Sequence, residues 1–478
     1  MKSFVSSIAK ITIPALLLSI LISGVLYGQK TSTDSLFVAR FGKVYIHKLS
    51  DSPHNVAILI SGYAGRKYGE AELAGVFSGM NTLLIEVDIP RYFNSLRERG
   101  RGCWMVSPDF VELATAVEKK YNFEGYVPPV IMGYSEGATL AYGILAQARP
   151  ETFIGGISLG FCPAIEIPEM LCQVNGLTGE VITAGKSYYL NPNPRLGNPW
   201  IVLQGKKDTI CDSKSVVSFV KKTSEAELIL LQSTGRDFSR ISEFKTQWKD
   251  AFSKLITRYN TSQAISAQGT RLSRIPYILT KEKTEITDGT VALFFSGDGG
   301  WYGFEQNIAD KIALLGIPTI GIDTKRYFWN KKTPQETAND MAALLYYYGK
   351  EWNKTRFTLV GYSQGAEIVP FVVNLLPENL KSRISSVVML SPATYTDFEI
   401  HITNMLGLGS RQNKFNVVDE ILRIKNVPAL CIFGEGEKTP VPHLLQDSRV
   451  KTVFIPGDHH YRSNETLIVK TMKDNNAF

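Results

Sequence analysis

Histidine is scarce in this chain and unevenly placed. The six present are His47, His54, His401, His443, His459 and His460, so none lies between residues 55 and 400. Chemistry that needs an imidazole base is therefore confined to the two ends of the chain. Cysteine is also scarce, with five in 478 residues. No Cys-x-x-Cys pair occurs and no His/Cys spacing suits zinc, so neither a metal nor a cofactor is expected. There is no dense Lys/Arg block interleaved with aromatics, which argues against nucleic acid as a partner. There is no low-complexity tract either, so a packed fold is the default expectation.

What is present points to an exported chain of two domains. A length of 478 residues exceeds one ordinary core. The start reads "MKSFVSSIAKITIPALLLSILISGVLYGQK": Lys2 and Lys10, an apolar run from Ile11 to Leu26, then small residues ending at Gly28. This is the pattern of a secretory signal peptide over 1–28. The alternative is an uncleaved, tilted membrane anchor. Either reading puts the remainder outside the cytoplasm, in the periplasm. The formal charge is +7, and removing the two early lysines leaves +5, mild enough for no more than weak attraction to an anionic membrane surface. Cys103, Cys162, Cys172 and Cys211 precede the midpoint and can form two disulfides, with three pairings open. Cys431 in "PALCIFG" reads as a buried strand residue.

The chain repeats itself. "VAILISGYAG" (Val56 to Gly65) aligns with "VALFFSGDGG" (Val291 to Gly300), and "VDIPRYF" (Val87 to Phe93) with "IDTKRYF" (Ile322 to Phe328). Ser61 and Ser296 are 235 residues apart, as are Arg91 and Arg326. Two Gly-x-Ser-x-Gly turns, around Ser135 and Ser363, lie 228 apart. Shared order at so long a period means tandem domains. In each, short β-rich runs (Val56–Ile60, Thr82–Val87, Pro129–Met132, Gly155–Leu159 and Trp200–Leu203 in the first) alternate with helical lengths. This predicts an α/β fold: two mostly parallel sheets with helices on both faces. The expected units are 29–260 and 274–478, joined by a polar linker over 261–273, with Ile275 to Lys283 opening the second sheet.

In the second unit, Ser363 follows the run Phe357 to Val360 and precedes a helix predicted over Ala366 to Leu375. That is a nucleophile elbow, whose flanking Gly361 and Gly365 are needed because side chains there would collide with neighbouring elements. A serine needs a base and an acid, in the chain order Ser, acid, His. After the next strands come "GEGEKTP" and "PGDHHYRS". The sequence therefore predicts Ser363, Glu437 and His459 as a catalytic triad, with Glu435 and His460 as the alternative acid and base. Oxyanion donors are expected at the Gln364 N–H and in "SGDGGW", at Asp298 or Gly299.

The first unit carries an equivalent elbow at Ser135 and an acid at Asp208. Where the histidine should stand, "QSTGRDFSR" offers Arg236 and Asp237 instead. This degenerate site lacks its own base, and a binding or shaping role is expected for it.

With these residues in hand, the chain resembles the VirJ/AcvB family of bacterial periplasmic virulence proteins. The stretches that carry the likeness are "FFSGDGGW", "IDTKRYFWNKKTP", "GYSQGAEIVPF", "LSPATYTDFEIH" and "PGDHH", over most of Val291 to Tyr461. The first unit is similar to the N-terminal half of the longer, two-unit members. The resemblance implies α/β-hydrolase domains, a periplasmic location, hydrolysis of lysyl-phosphatidylglycerol at the membrane surface, and an association with type IV secretion proteins. The acid loop departs from the family by being Glu-based. A lysyl ester is cationic, so Asp298, Glu367, Asp397 and Glu399 are candidate substrate-binding groups, with surface or capping carboxylates as the alternative, and Trp301, Phe328 and Trp329 are candidate contacts for acyl chains, with core packing the commoner use of such residues. Two rival readings stand beside this one: a non-catalytic secretion adaptor, and an esterase of other specificity.

Overall fold

The computed structural model describes residues 32–62, 75–77, 79–98, 102–235, 240–266, 271–284, 289–401 and 415–478. Strands β1 (Ser32–Val38), β2 (Gly42–Lys48), β3 (Asn55–Ile60), β4 (Thr82–Val87), β5 (Val130–Tyr134), β6 (Gly155–Leu159), β7 (Trp200–Gly205) and β8 (Ala226–Leu231) form one sheet, ordered β1-β2-β4-β3-β5-β6-β7-β8. Strands β9 (Tyr277–Thr280), β10 (Thr290–Phe295), β11 (Thr319–Ile322), β12 (Arg356–Tyr362), β13 (Ile384–Leu390), β14 (Ala429–Gly434) and β15 (Lys451–Ile455) form a second, ordered β9-β11-β10-β12-β13-β14-β15. Apart from β1, the two orders are the same. In each sheet the first strand of the shared set pairs antiparallel (β2 with β4, β9 with β11) and the central strands pair in parallel. The protein is a tandem of two α/β-hydrolase-like domains.

The strand sequences dictate this arrangement. Parallel strands covered by helices on both faces must be apolar throughout. Val291, Leu293 and Phe295 pack in one core layer, while Ala292 and Phe294 pack in the layer on the opposite face. In the first sheet Val56, Ile58 and Ile60 face one layer, and Ala57 and Leu59 the other. Burying each such aliphatic side chain stabilises the fold by roughly 1.5–3 kcal/mol. The repeated serine after the first central strand also has a local function. Ser61 Oγ accepts the Ile89 N–H at 3.1 Å, and Ser296 Oγ accepts the Thr324 N–H at 3.0 Å. Each ties the first strand-end loop to the helix that starts after the neighbouring strand.

The first unit also holds a three-stranded antiparallel sheet (Ala164–Ile165, Gly179–Thr183, Ser187–Leu190). Two disulfides brace it, Cys103–Cys172 and Cys162–Cys211, and Cys431 is a buried free thiol. The helix Lys245–Ser266 takes in the first six residues of the expected linker; 267–270 lie outside the described residues. The units are bonded to each other. Trp329 Nε1 donates to the Phe123 carbonyl at 2.9 Å, and Asn330 Nδ2 to that of Glu124 at 2.8 Å. Lys119 Nζ donates to the Trp329 carbonyl and lies over its ring.

No helix among the described residues is long and apolar enough to cross a membrane, which corrects the alternative reading of an uncleaved membrane anchor. The expected signal peptide and its run from Ile11 to Leu26 lie outside the described residues.

Candidate active site

The loops at the carboxyl ends of β10, β12, β14 and β15 converge on Ser363. Strand β12 ends at Tyr362, and the helix Gln364–Leu375 starts one residue after Ser363. Ser363 itself has φ 52° and ψ −120°, a conformation that a non-glycine residue holds only when its surroundings impose it. They do so through the two glycines. A Cβ on Gly361 would lie 2.2 Å from the Gly365 carbonyl oxygen, and one on Gly365 would lie 2.4 Å from that of Phe295. Strand and helix approach too closely for any side chain, which forces the sharp turn that holds the serine outward.

Two side chains complete a line of hydrogen bonds. His459 Nε2 lies 3.0 Å from Ser363 Oγ, and His459 Nδ1 lies 2.8 Å from Glu437 Oε1. A carboxylate only accepts, so Nδ1 carries the proton and Nε2 presents its lone pair to the serine hydroxyl. Glu437 is fixed in turn: Oε2 accepts Ser391 Oγ at 2.7 Å and the Gly434 N–H at 3.3 Å. Ser391 Oγ is itself 2.6 Å from the Tyr461 hydroxyl, which donates to the Ile432 carbonyl.

The electrostatics follow from these contacts. Burial works to raise the Glu437 pKa, but hydrogen bonds from His459 and Ser391 outweigh it and hold the carboxylate below its usual range. The hydrogen bond to Glu437 raises the His459 pKa above the usual imidazole value; burial opposes this, and the charges of Glu437, Asp298 and Glu367 reinforce it. For His460, burial and the neighbouring His459 push the pKa down.

Of the alternatives, His460 turns its Nδ1 to the Tyr362 hydroxyl at 2.8 Å, and Glu435 is exposed. The loop after β10 flanks the serine, since a Cβ on Gly297 would lie 3.5 Å from Ser363 Cβ. The Gly297 N–H is directed to Glu305 Oε1 at 3.5 Å. The expected donors, half-buried Asp298 and exposed Gly299, follow in the same loop. Gln364 is the first residue of the elbow helix, and its side chain holds the Asp397 carbonyl at 3.2 Å.

The proposed substrate carboxylates separate. Asp298 and Glu367 lie close enough to act on His459. Asp397 does not suit the expected role. It is 4% exposed, Oδ1 accepts the Phe398 N–H at 2.8 Å, and Oδ2 meets His401 Nε2 at 3.0 Å, so it organises its own turn. Glu399 acts on Lys119 of the first unit. Trp301, Phe328 and Trp329 are 8%, 0% and 2% exposed, which fits core packing, the commoner of their two readings, and not contact with acyl chains. Sequence reasoning missed Ser391, Tyr461 and Glu305. The last is a buried carboxyl that burial pushes up to about 7 while the Tyr302 and Gly297 N–H groups hold it down. The one available signal was that Ser391 follows a strand end, as Ser363 does. Among the described residues no cluster of His, Cys, Asp and Glu could hold a metal ion.

The first unit reproduces the elbow, and its sequence has no histidine after His54. Ser135 has φ 55° and ψ −117°, and a Cβ on Gly137 would lie 2.3 Å from the Ile60 carbonyl oxygen. Asp208 Oδ1 accepts the Ile210 and Cys211 N–H groups, and Oδ2 accepts Gln204 Nε2. Its carboxylate shapes a turn. Arg236 and Asp237 lie outside the described residues.

A sequence profile for "Bacterial virulence protein (VirJ)" matches residues 289–477, the C-terminal unit only. No curated protein matches the chain. Among solved structures, Est1E from Butyrivibrio proteoclasticus with bound ferulic acid is 16% identical, covering 42% of this chain and 93% of its own, with a TM-score of 0.33. A lipase-esterase related protein from Clostridium acetobutylicum is also 16% identical, covering 42% and 99%, with a TM-score of 0.33. At such identities and scores neither says what this chain does.

Proposed function

We propose that the C-terminal unit is a serine hydrolase that cleaves the aminoacyl ester of lysyl-phosphatidylglycerol. The observation that carries this reading is the continuous Ser363–His459–Glu437 hydrogen-bond line at a strained elbow. His459 Nε2 takes the Ser363 proton as Oγ attacks the lysyl carbonyl carbon. Glu437 keeps Nδ1 protonated and stabilises the imidazolium. The oxyanion develops beside the Gln364 N–H and the loop after β10, where a helix N-terminus favours negative charge. When the tetrahedral intermediate collapses, the glycerol oxygen leaves with the proton from His459. Phosphatidylglycerol departs and lysine stays esterified to Ser363. A water, deprotonated by His459, then releases lysine.

The substrate reading is supported by the resemblance of the second unit and by the field of Asp298 and Glu367, which favours a cationic acyl group. The test is release of free lysine from liposomes containing the lipid, with Ser363→Ala as control. Lysine release abolished by that substitution is the expected result. A folded enzyme that cleaves simple esters but not this lipid would remove the substrate claim alone. One that cleaves neither would remove the hydrolase reading.

A further inference from the structure

We infer that the junction between the two units is a binding site for a phosphate group, held by Arg149 of the first unit and Lys325 of the second. Both line one cavity of about 250 Å³, with Tyr126, Tyr302, Arg326 and the acids Glu151 and Asp323 also in its walls. Arg326 is committed, its Nε lying 3.5 Å from Asp323 Oδ2. The other two cations are not. Among the described residues no carboxylate lies within ion-pair distance of Arg149 or Lys325. Lys325 is 2% exposed; its Nζ donates to the Tyr302 hydroxyl at 2.8 Å and lies 3.6 Å from the centre of the Tyr126 ring. Arg149 Nη1 reaches the Tyr302 carbonyl at 3.4 Å. Tyr302 thus connects the two.

Burying a cation with no carboxylate in ion-pair contact is costly, and a bound anion would offset that cost. Burial lowers the Lys325 pKa to about 7, against the pull of Asp323, and lowers that of Arg149. One buried acid of the first unit, Glu118, acts on Lys325. It is 0% exposed, its Oε1 has no hydrogen-bond partner, and burial raises its pKa well above the usual carboxylate value while the charges of Lys325 and Arg326 oppose this. Two hydroxyl-bearing rings and two cations, one a planar guanidinium, form a donor set suited to phosphate oxygens. The Tyr126 hydroxyl is itself buried without a partner.

The position of the cavity gives the site a use. A Cβ on Gly300 would lie 3.3 Å from Lys325 Cε, so the cavity shares a wall with the loop that flanks Ser363. A phosphodiester held here would lie beside the proposed hydrolytic centre. Binding itself does not depend on that centre being active. It gives the first unit a function that needs no histidine.

The chemistry is that of a phosphate, free or in a lipid head group, and the experiment separates the two. Calorimetric titration with inorganic phosphate and with sn-glycerol 3-phosphate would be run beside co-sedimentation with phosphatidylglycerol and phosphatidylcholine vesicles. The chains compared are the full-length wild type, Arg149→Gln, Arg149→Lys, Lys325→Met, Ser363→Ala and, as a surface control, Lys214→Gln, with melting curves to check folding. Arg149→Gln and Lys325→Met should each weaken binding at least tenfold, Arg149→Lys should restore part of it, and Ser363→Ala and Lys214→Gln should leave it unchanged. Loss seen with the small phosphates assigns a soluble ligand. Loss seen only with phosphatidylglycerol vesicles assigns a head group. If no ligand binds, or if binding is the same in Arg149→Gln and Lys325→Met as in wild type, the site is overturned.

Discussion

Ser135 and Ser363 hold nearly the same strained backbone, φ 55° and ψ −117° against φ 52° and ψ −120°. One faces a histidine, and the unit of the other has none after His54. Backbone strain at an elbow therefore does not require a facing histidine in this molecule. The glycine contacts impose it equally in both units, so the geometry persists wherever the fold does.

A fluorophosphonate probe should separate the two serines. It should label wild type and Ser135→Ala equally and leave Ser363→Ala unlabelled, as read by mass after tryptic digestion. Labelling that follows Ser135 instead would show that the first unit finds a base elsewhere.

The pH dependence follows from the direction of the His459 shift. The base must be neutral, and its pKa is raised by Glu437. kcat/KM should therefore rise with pH through an inflection above about 6.5, the ordinary imidazole value. In Glu437→Gln the inflection should move down, because the charge that favoured the imidazolium is gone, and kcat should fall by roughly 10³ to 10⁴. His459→Ala should lose about 10² to 10⁴ of the rate, while His460→Ala should stay within a few-fold. A larger loss at His460 would reverse the assignment.

Asp298 should matter for the cationic acyl group more than for ester chemistry. Asp298→Asn should raise KM for the lysyl lipid several-fold and leave KM for an uncharged ester unchanged, measured on the two substrates side by side. Asp397→Asn, by contrast, should lower thermal stability without this substrate difference, since its carboxylate holds the Phe398 N–H and His401. Equal KM changes for both esters in Asp298→Asn would exclude a charge role.

The first elbow should be structurally indispensable. Gly137→Ala would force a Cβ to within 2.3 Å of the Ile60 carbonyl oxygen. The expected cost exceeds about 3 kcal/mol, enough to cut soluble yield or lower the Tm by many degrees. Ser135→Ala, at the adjacent turn, should leave the Tm within a degree or two. A Gly137→Ala protein that melts like wild type would show that strand and helix can part more easily than their contact implies.

Much of this was legible in the sequence because it is local. The runs at Thr82–Val87 and Gly155–Leu159 are strands with the expected ends, since continuous apolar stretches bounded by turns leave few alternatives. Ser363, Glu437 and His459 could be named because each follows a strand end, and strand ends in a parallel sheet converge. Ser391 and Tyr461 could not, because their partnership with Glu437 joins three strand ends and no spacing reveals it. Asp397 and Glu399 look like substrate carboxylates in one dimension. One is spent on its own turn, and the charge of the other acts on Lys119, which is remote in sequence. The pairing of Cys103 with Cys172 was likewise open until the chain was folded.

The indole of Trp329 and the amide of Asn330 are satisfied by carbonyls of the other unit, and Lys325 is buried at the same seam. A chain that lost its first half would uncover a tryptophan, a lysine and a row of unfilled donors beside its working loop. In evolutionary terms such a seam works as a ratchet: groups capped by the partner unit make the loss of either unit costly to the other.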